Sequence, residues 1–147
     1  MGTLVTLCLP PAASALYRDH ARAPTGSCPD RLPPFLKAIA ATGGDRVTFG
    51  PEGLRAAGEL LPASAPRLLD SAGRPLPHAP YGTYRLSPGT VWLYAPQPHS
   101  FDSRYFGPLP AAVVLYPVMP LWLFASPCPS CRLHPFSDRL DWSPPHA

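Results

Sequence analysis

Apolar and polar positions alternate along this chain in short bursts, each closed by proline or glycine, and that pattern predicts strands. Residues 3–9 read as a first strand, Thr-Leu-Val-Thr-Leu-Cys-Leu, stopped by Pro10-Pro11. One or two helical turns are expected within residues 12–23, with Tyr17, Arg18, Asp19 and His20 on the exposed side. A loop over 24–34 leads into a second strand from Phe35, which the Gly43-Gly44-Asp45 turn closes before a third over 46–49. In residues 52–61, Leu54, Ala57, Leu60 and Leu61 keep helical spacing, yet Gly53 and Gly58 interrupt it and permit a hairpin. Residues 62–80 form a proline-rich polar excursion. Strands are then expected over 81–86 and 90–95, divided by Ser87-Pro88-Gly89, and again over 111–116 and 121–125.

Composition agrees with that outline. In 147 residues, 24 prolines and 11 glycines leave little room for long helices, while a 46% hydrophobic content is enough for one folded core. The segment 1–125 is expected to be the folded β domain and 126–147 a loose tail. A net charge of +3, carried mostly by scattered arginines, shows no basic run and gives nucleic-acid binding no support. Residues 104–132 hold no charge between Arg104 and Arg132, but six prolines from Pro108 to Pro129 cut the stretch into pieces too short to span a bilayer. The first fifteen residues lack the basic start of a signal peptide, and Pro10-Pro11 interrupts their apolar run.

Four cysteines admit three pairings. Cys8 and Cys28 each lie near proline in loop-like context, consistent with a disulfide in an exported domain. Cys128-Pro-Ser-Cys131 is a lone pair without partners spaced for zinc, and no helix start follows it to support redox chemistry.

Two groups carry candidate chemistry. Lys37 is the only lysine among twelve basic residues. In a strand it shares a face with Phe35, Ile39 and Ala41, an apolar setting that disfavours the ammonium form. A lysine so placed can serve as a base, which arginine cannot. If residues 100–104 are extended, Ser100, Asp102 and Arg104 project from one face, with an ion pair beside a hydroxyl able to meet an amine.

Taken in order, four blocks resemble the type I signal peptidase superfamily of membrane-bound serine/lysine proteases, in particular its conjugative-transfer (TraF-like) branch. Leu4-Val-Thr-Leu-Cys8-Leu-Pro-Pro11, with the later Gly26-Ser-Cys28-Pro29, is similar to that branch's cysteine-bearing N-terminal segment. Phe35-Leu-Lys37-Ala-Ile-Ala-Ala-Thr-Gly-Gly-Asp45 resembles the lysine box, with Ala38 where arginine usually follows and Gly43 where proline usually stands. Asp70-Ser-Ala-Gly-Arg-Pro-Leu-Pro77 resembles an insertion of the branch, and Ser100-Phe-Asp-Ser-Arg-Tyr-Phe-Gly-Pro108 matches its Ser-x-Asp-Ser-Arg-x-Phe-Gly box.

The resemblance implies a largely antiparallel, coiled β-sheet domain that hydrolyses peptide bonds with a serine nucleophile and a lysine base, needing no cofactor or metal. Lys37 matches the base, Ser100 the hydroxyl that orients it, and Asp102 with Arg104 the supporting charged pair. The implied partner is an extended precursor peptide, such as a pilin or signal-peptide-bearing protein. The implied setting is a membrane surface on the periplasmic face of the inner membrane. The family's nucleophile box and preceding membrane helix have no counterpart before Lys37, so the chain is expected to be an N-terminally truncated form. Ser14, ahead of Ala-Leu-Tyr17, and Ser27, beside Cys28, fall out of the family's order. Two other classes remain open: a non-catalytic peptide- or partner-binding domain on the same fold, and an unrelated exported β domain in which Lys37 and Ser100 lie far apart.

Overall fold

A computed structural model describes residues 2–119. These form nine strands with two helices and one 3-10 turn: β1 (Leu4–Leu7), α1 (Pro11–His20), β2 (Phe35–Thr42), β3 (Arg46–Gly50), β4 (Gly53–Ala56), β5 (Glu59–Leu60), β6 (Gly82–Arg85), β7 (Thr90–Tyr94), α2 (Ser103–Phe106), β8 (Leu109–Pro110), the 3-10 turn Ala111–Val113, and β9 (Val114–Val118). All strand pairs are antiparallel. One sheet runs β8-β7-β2-β1-β9 and the other β5-β4-β3-β6. The expected mainly β, antiparallel architecture with little helix is what the chain adopts. The proposed strand at 121–125, the tail at 126–147 and Cys128 and Cys131 lie outside the described residues.

The turns follow from residues that tolerate their geometry. Gly44 takes a φ of 95°, and the Asp45 carboxylate accepts hydrogen bonds from the Thr42 N–H at 2.8 Å and its hydroxyl at 3.2 Å. The ambiguous stretch 52–61 resolves as hairpins. Ala57 and Gly58 both have positive φ, 49° and 83°, as a two-residue type I′ connection requires, and this prevents the helix that the leucine spacing allowed. Gly53 is also irreplaceable there, because a Cβ would stand 2.3 Å from the Ser64 hydroxyl that caps the Leu54 N–H.

Strand β7 is apolar at successive positions because it is buried on both faces. Trp92 and Tyr94 join Val47, Phe49, Leu54 and Leu86 in a core between the two sheets. Val91 and Leu93 face the other way, into a second core with Val5, Leu7, Leu9, Ala13, Leu32 and Leu109. A β-bulge between Ile39 and Ala41 shifts the register of β2 against β7: Ile39 lies opposite Leu93 and Ala41 opposite Trp92. Ala41 therefore turns into the first core and does not share the face of Phe35, Lys37 and Ile39, as strict alternation predicted. The bulge lets one strand serve both cores.

Three further expectations need correction. The helix is longer than one or two turns, with Pro11 favourably placed at its start. Its Tyr17 and His20 are half-buried rather than solvent-facing. Residues 111–113 form a 3-10 turn, so the following strand begins only at Val114.

The disulfide joins Cys8 to Cys28, closing a loop of 20 residues' separation around α1. Ser14, 2% exposed, adds a second tie by hydrogen bonding to Asp30, whose backbone carbonyl also accepts from Arg18. Burial pushes the Asp30 carboxyl up, but the Ser14 hydroxyl, the Leu32 N–H and the Arg18 charge outweigh it and hold the group below its ordinary value. Loop-closure entropy predicts that Cys28→Ser costs about 3 kcal/mol. Denaturant unfolding in the presence and absence of reductant checks this; equal midpoints would show that the bridge contributes nothing.

Candidate functional site

Lys37 lies in β2 beside β1, paired in register with Val5, and only 9% of its surface is exposed. Its Nζ donates to the Ser100 Oγ at 2.7 Å. The Phe35 ring, two residues earlier on the same face, has its centroid 5.7 Å from Nζ. Burial pulls the amine's pKa below its ordinary value of 10.5; Asp102 opposes that shift and Arg104 reinforces it. Burial thus disfavours the ammonium form of the lysine at the place where a hydroxyl meets it. That proximity removes the reading in which Lys37 and Ser100 belong to separate parts of an unrelated domain.

Asp102 and Arg104 are both fully buried. They do not reach each other along an extended chain, as the spacing suggested. Asp102 is the N-cap of α2: its Oδ1 accepts the Arg104 backbone N–H at 3.1 Å, which starts a helical turn. The Arg104 side chain then folds back on the same carboxylate, donating through Nε to Oδ1 and through Nη2 to Oδ2, each at 2.8 Å. The three residues still converge, through a cap instead of strand alternation.

The guanidinium also donates to the carbonyls of Ala63 at 2.9 Å, Gln97 at 2.8 Å and Ser100 at 3.1 Å. Arg104 therefore holds the loop that carries Ser100 and fastens it to the proline-rich excursion. The Ala95 N–H donates to Asp102 Oδ2 at 3.1 Å, and the Leu93 N–H donates to the buried Ser103 hydroxyl at 2.9 Å. These bonds tie α2 to β7. Each member of the Ser-x-Asp-Ser-Arg box has a separate structural task, and only Ser100 presents its side chain to the lysine.

Two groupings escaped the sequence reading. Tyr17 of α1 packs edge-on against Phe35, with centroids 5.0 Å apart, and against Phe101 at 5.2 Å. The Gly-Arg-Pro insertion docks on the same helix: Asp70 accepts from His20 at 2.9 Å and from Arg74 at 2.7 Å. The His20 bond, with Arg74 and the Ala72 N–H, holds Asp70 well below the usual carboxylate range despite its burial. The Asp-x-x-Gly turn signal at 70–73 marked a turn, but nothing local identified its partner fifty positions earlier. Ser14 is spent on Asp30 and the Leu9 carbonyl, while the Lys37 amine bonds to Ser100. Among the described residues no cluster has the ligands for a metal ion, and no helix is long and apolar enough to cross a membrane.

The fold and site define an antiparallel β domain with a buried lysine bonded to a half-buried serine and braced by an aspartate–arginine clamp. The profile of the signal peptidase family, peptidase S26, matches residues 2–122, and the chain belongs to that family. It is 39% identical over 119 residues to the "Probable conjugal transfer protein TraF" of Sinorhizobium fredii, covering 78% of this chain and 60% of that protein. It is 41% identical over 85 residues to the plasmid transfer protein TraF of Escherichia coli, covering 57% and 48%. A third relative, the conjugal transfer protein TraF of Agrobacterium fabrum, is 33% identical over 126 residues, covering 84% and 69%. The chain thus spans between about half and about two thirds of the length of these curated relatives.

Proposed function

We propose that this chain carries the general-base half of a serine-type endopeptidase of the signal peptidase kind, serving precursor processing in conjugative transfer. The observation that carries the reading is the 2.7 Å bond between a buried Lys37 amine and Ser100. In this mechanism the neutral amine takes the proton of an attacking serine as its oxygen adds to the scissile carbonyl. It returns that proton to the departing amine, and water then releases the acyl group. Ser100 orients the amine by accepting one of its N–H bonds, which aims the nitrogen lone pair. The attacking serine of this proposal is drawn from outside residues 2–119, since Ser100 is the only described hydroxyl that meets Lys37.

The substrate class that fits is an extended precursor segment bound by strand addition, on the periplasmic face of the inner membrane. The test is cleavage of a pilin-type precursor peptide by the 147-residue chain and by a form extended with its upstream coding sequence. Cleavage by either form that disappears in Lys37→Ala, and that Lys37→Arg does not restore, is the expected result. Undiminished cleavage in Lys37→Ala would overturn the reading. Tight peptide binding with no cleavage by either form would identify a binding domain on the peptidase fold.

A further inference from the structure

Apart from Pro11 at its start, helix α1 carries none of the motif residues, yet its Tyr17 packs against aromatic neighbours of the lysine site. Its Tyr17 ring meets Phe35 with planes at 89° and Phe101 at 63°. Phe35 precedes Lys37 by two positions on its own face, and Phe101 directly follows Ser100. One tyrosine therefore touches the aromatic neighbours of both partners of the Lys37–Ser100 bond. Phe101 is held from behind by a parallel stack on Tyr105 at 5.1 Å and by Phe106 at 5.8 Å, so it cannot readily swing away.

The helix is fixed more firmly than packing alone requires. The Cys8–Cys28 bridge and the Ser14–Asp30 bond hold its N-terminal half. His20 on Asp70 and Arg74 on the Asp19 carbonyl hold its end. Tyr17 lies between these two sets of ties.

We propose that Tyr17 is a positioning residue for Lys37: it presses Phe35 and Phe101 together over the Lys37–Ser100 pair and keeps water from the amine. Apolar cover of this kind disfavours the charged form of a lysine. The charged groups acting on Lys37 are Asp102 and Arg104. Strand β1 offers no titratable side chain, β7 offers only Tyr94, and α1 turns the Tyr17 ring toward the site. The Tyr17 ring, which also packs on the second core, makes none of the hydrogen bonds of the Asp102–Arg104 clamp, so its removal takes away aromatic cover and leaves those bonds their partners. The proposal rests on the reading of Lys37 as a base for its consequence, though not for its measurement.

Lys37 is the chain's only lysine, so amine modification followed by peptide mass mapping reports on one side chain, with the terminal amine resolved separately. The pH midpoint of that modification is to be compared in the wild type, Tyr17→Ala, Tyr17→Phe and Tyr17→Leu. In Tyr17→Ala the midpoint should move up toward 10.5, with roughly a tenfold smaller neutral fraction at fixed pH. Tyr17→Phe, which keeps the ring, should retain the wild-type midpoint. Should Tyr17→Ala fail to fold, Tyr17→Leu, which keeps bulk but loses the edge-on contacts, is read in its place. An unmoved midpoint in the folded variant lacking the ring, or an equal shift in Tyr17→Phe, overturns the proposal. An ordinary midpoint in the wild type would instead overturn the base assignment itself, which separates the two failures.

Discussion

Arg104→Ala is expected to destabilise the domain by about 3–5 kcal/mol, the usual consequence of breaking a buried ion pair from one side. The reason lies in what is left behind. Asp102 is fully buried, and its two oxygens would lose the paired Nε and Nη2 donors. The carbonyls of Ala63, Gln97 and Ser100 would lose their guanidinium donors at the same time. Lysine cannot substitute, because one ammonium cannot reproduce the planar fork that spans a carboxylate and three loop carbonyls. Arg104→Lys should therefore remain destabilised by a comparable amount. Denaturant unfolding measures both variants, and a loss below about 1 kcal/mol in Arg104→Ala would show that the clamp is not what holds the loop. A double variant, Asp102→Leu with Arg104→Met, should be less destabilised than the sum of its single changes, since no charge is then stranded.

The outline of this fold was legible because its signals are local. Strands β1, β2, β6 and β7 stand between proline or glycine punctuation, and the Gly43-Gly44-Asp45 turn is dictated by backbone geometry that few other residues accept. The convergence of Lys37 with Ser100 was legible for another reason: the order of the motif blocks supplied what local pattern across a separation of 63 positions could not. What stayed hidden depends on partners remote in sequence. No local pattern shows that β2 must bulge at Ala40, because the bulge answers a demand for two cores on opposite faces of one strand. Tyr17 sits beside Arg18, Asp19 and His20 and so reads as part of a solvent face. It turns inward because Phe35 and Phe101 meet it there. The Ser-x-Asp-Ser-Arg box takes a different shape from the extended one its spacing suggests, since alternation along a strand and an aspartate cap both bring positions 102 and 104 together. Only the second also leaves Ser103 free to bind the Leu93 N–H.

Lys37→Met should abolish the proposed hydrolysis, by about 10²–10⁴-fold for loss of a general base, and should also make the folded chain more stable at neutral pH. The two effects have one cause. Burial lowers the folded-state pKa of Lys37 below 10.5, so the fold penalises the ammonium form. Below the lowered pKa both folded and unfolded chains are protonated there, and the penalty is fully present. Between that value and 10.5 the unfolded chain binds more protons, so wild-type stability rises with pH relative to Lys37→Met. Above 10.5 both forms are neutral and the methionine variant keeps no advantage from this source. Peptide hydrolysis should rise through the same lowered pKa, because only the neutral amine can accept the serine proton. Unfolding free energies of both chains across pH, set beside the acid limb of the cleavage rate, therefore see one titration twice. A stability difference that does not change with pH would show that the fold does not lower the Lys37 pKa. An acid limb centred away from the stability midpoint would assign the proton transfer to another group.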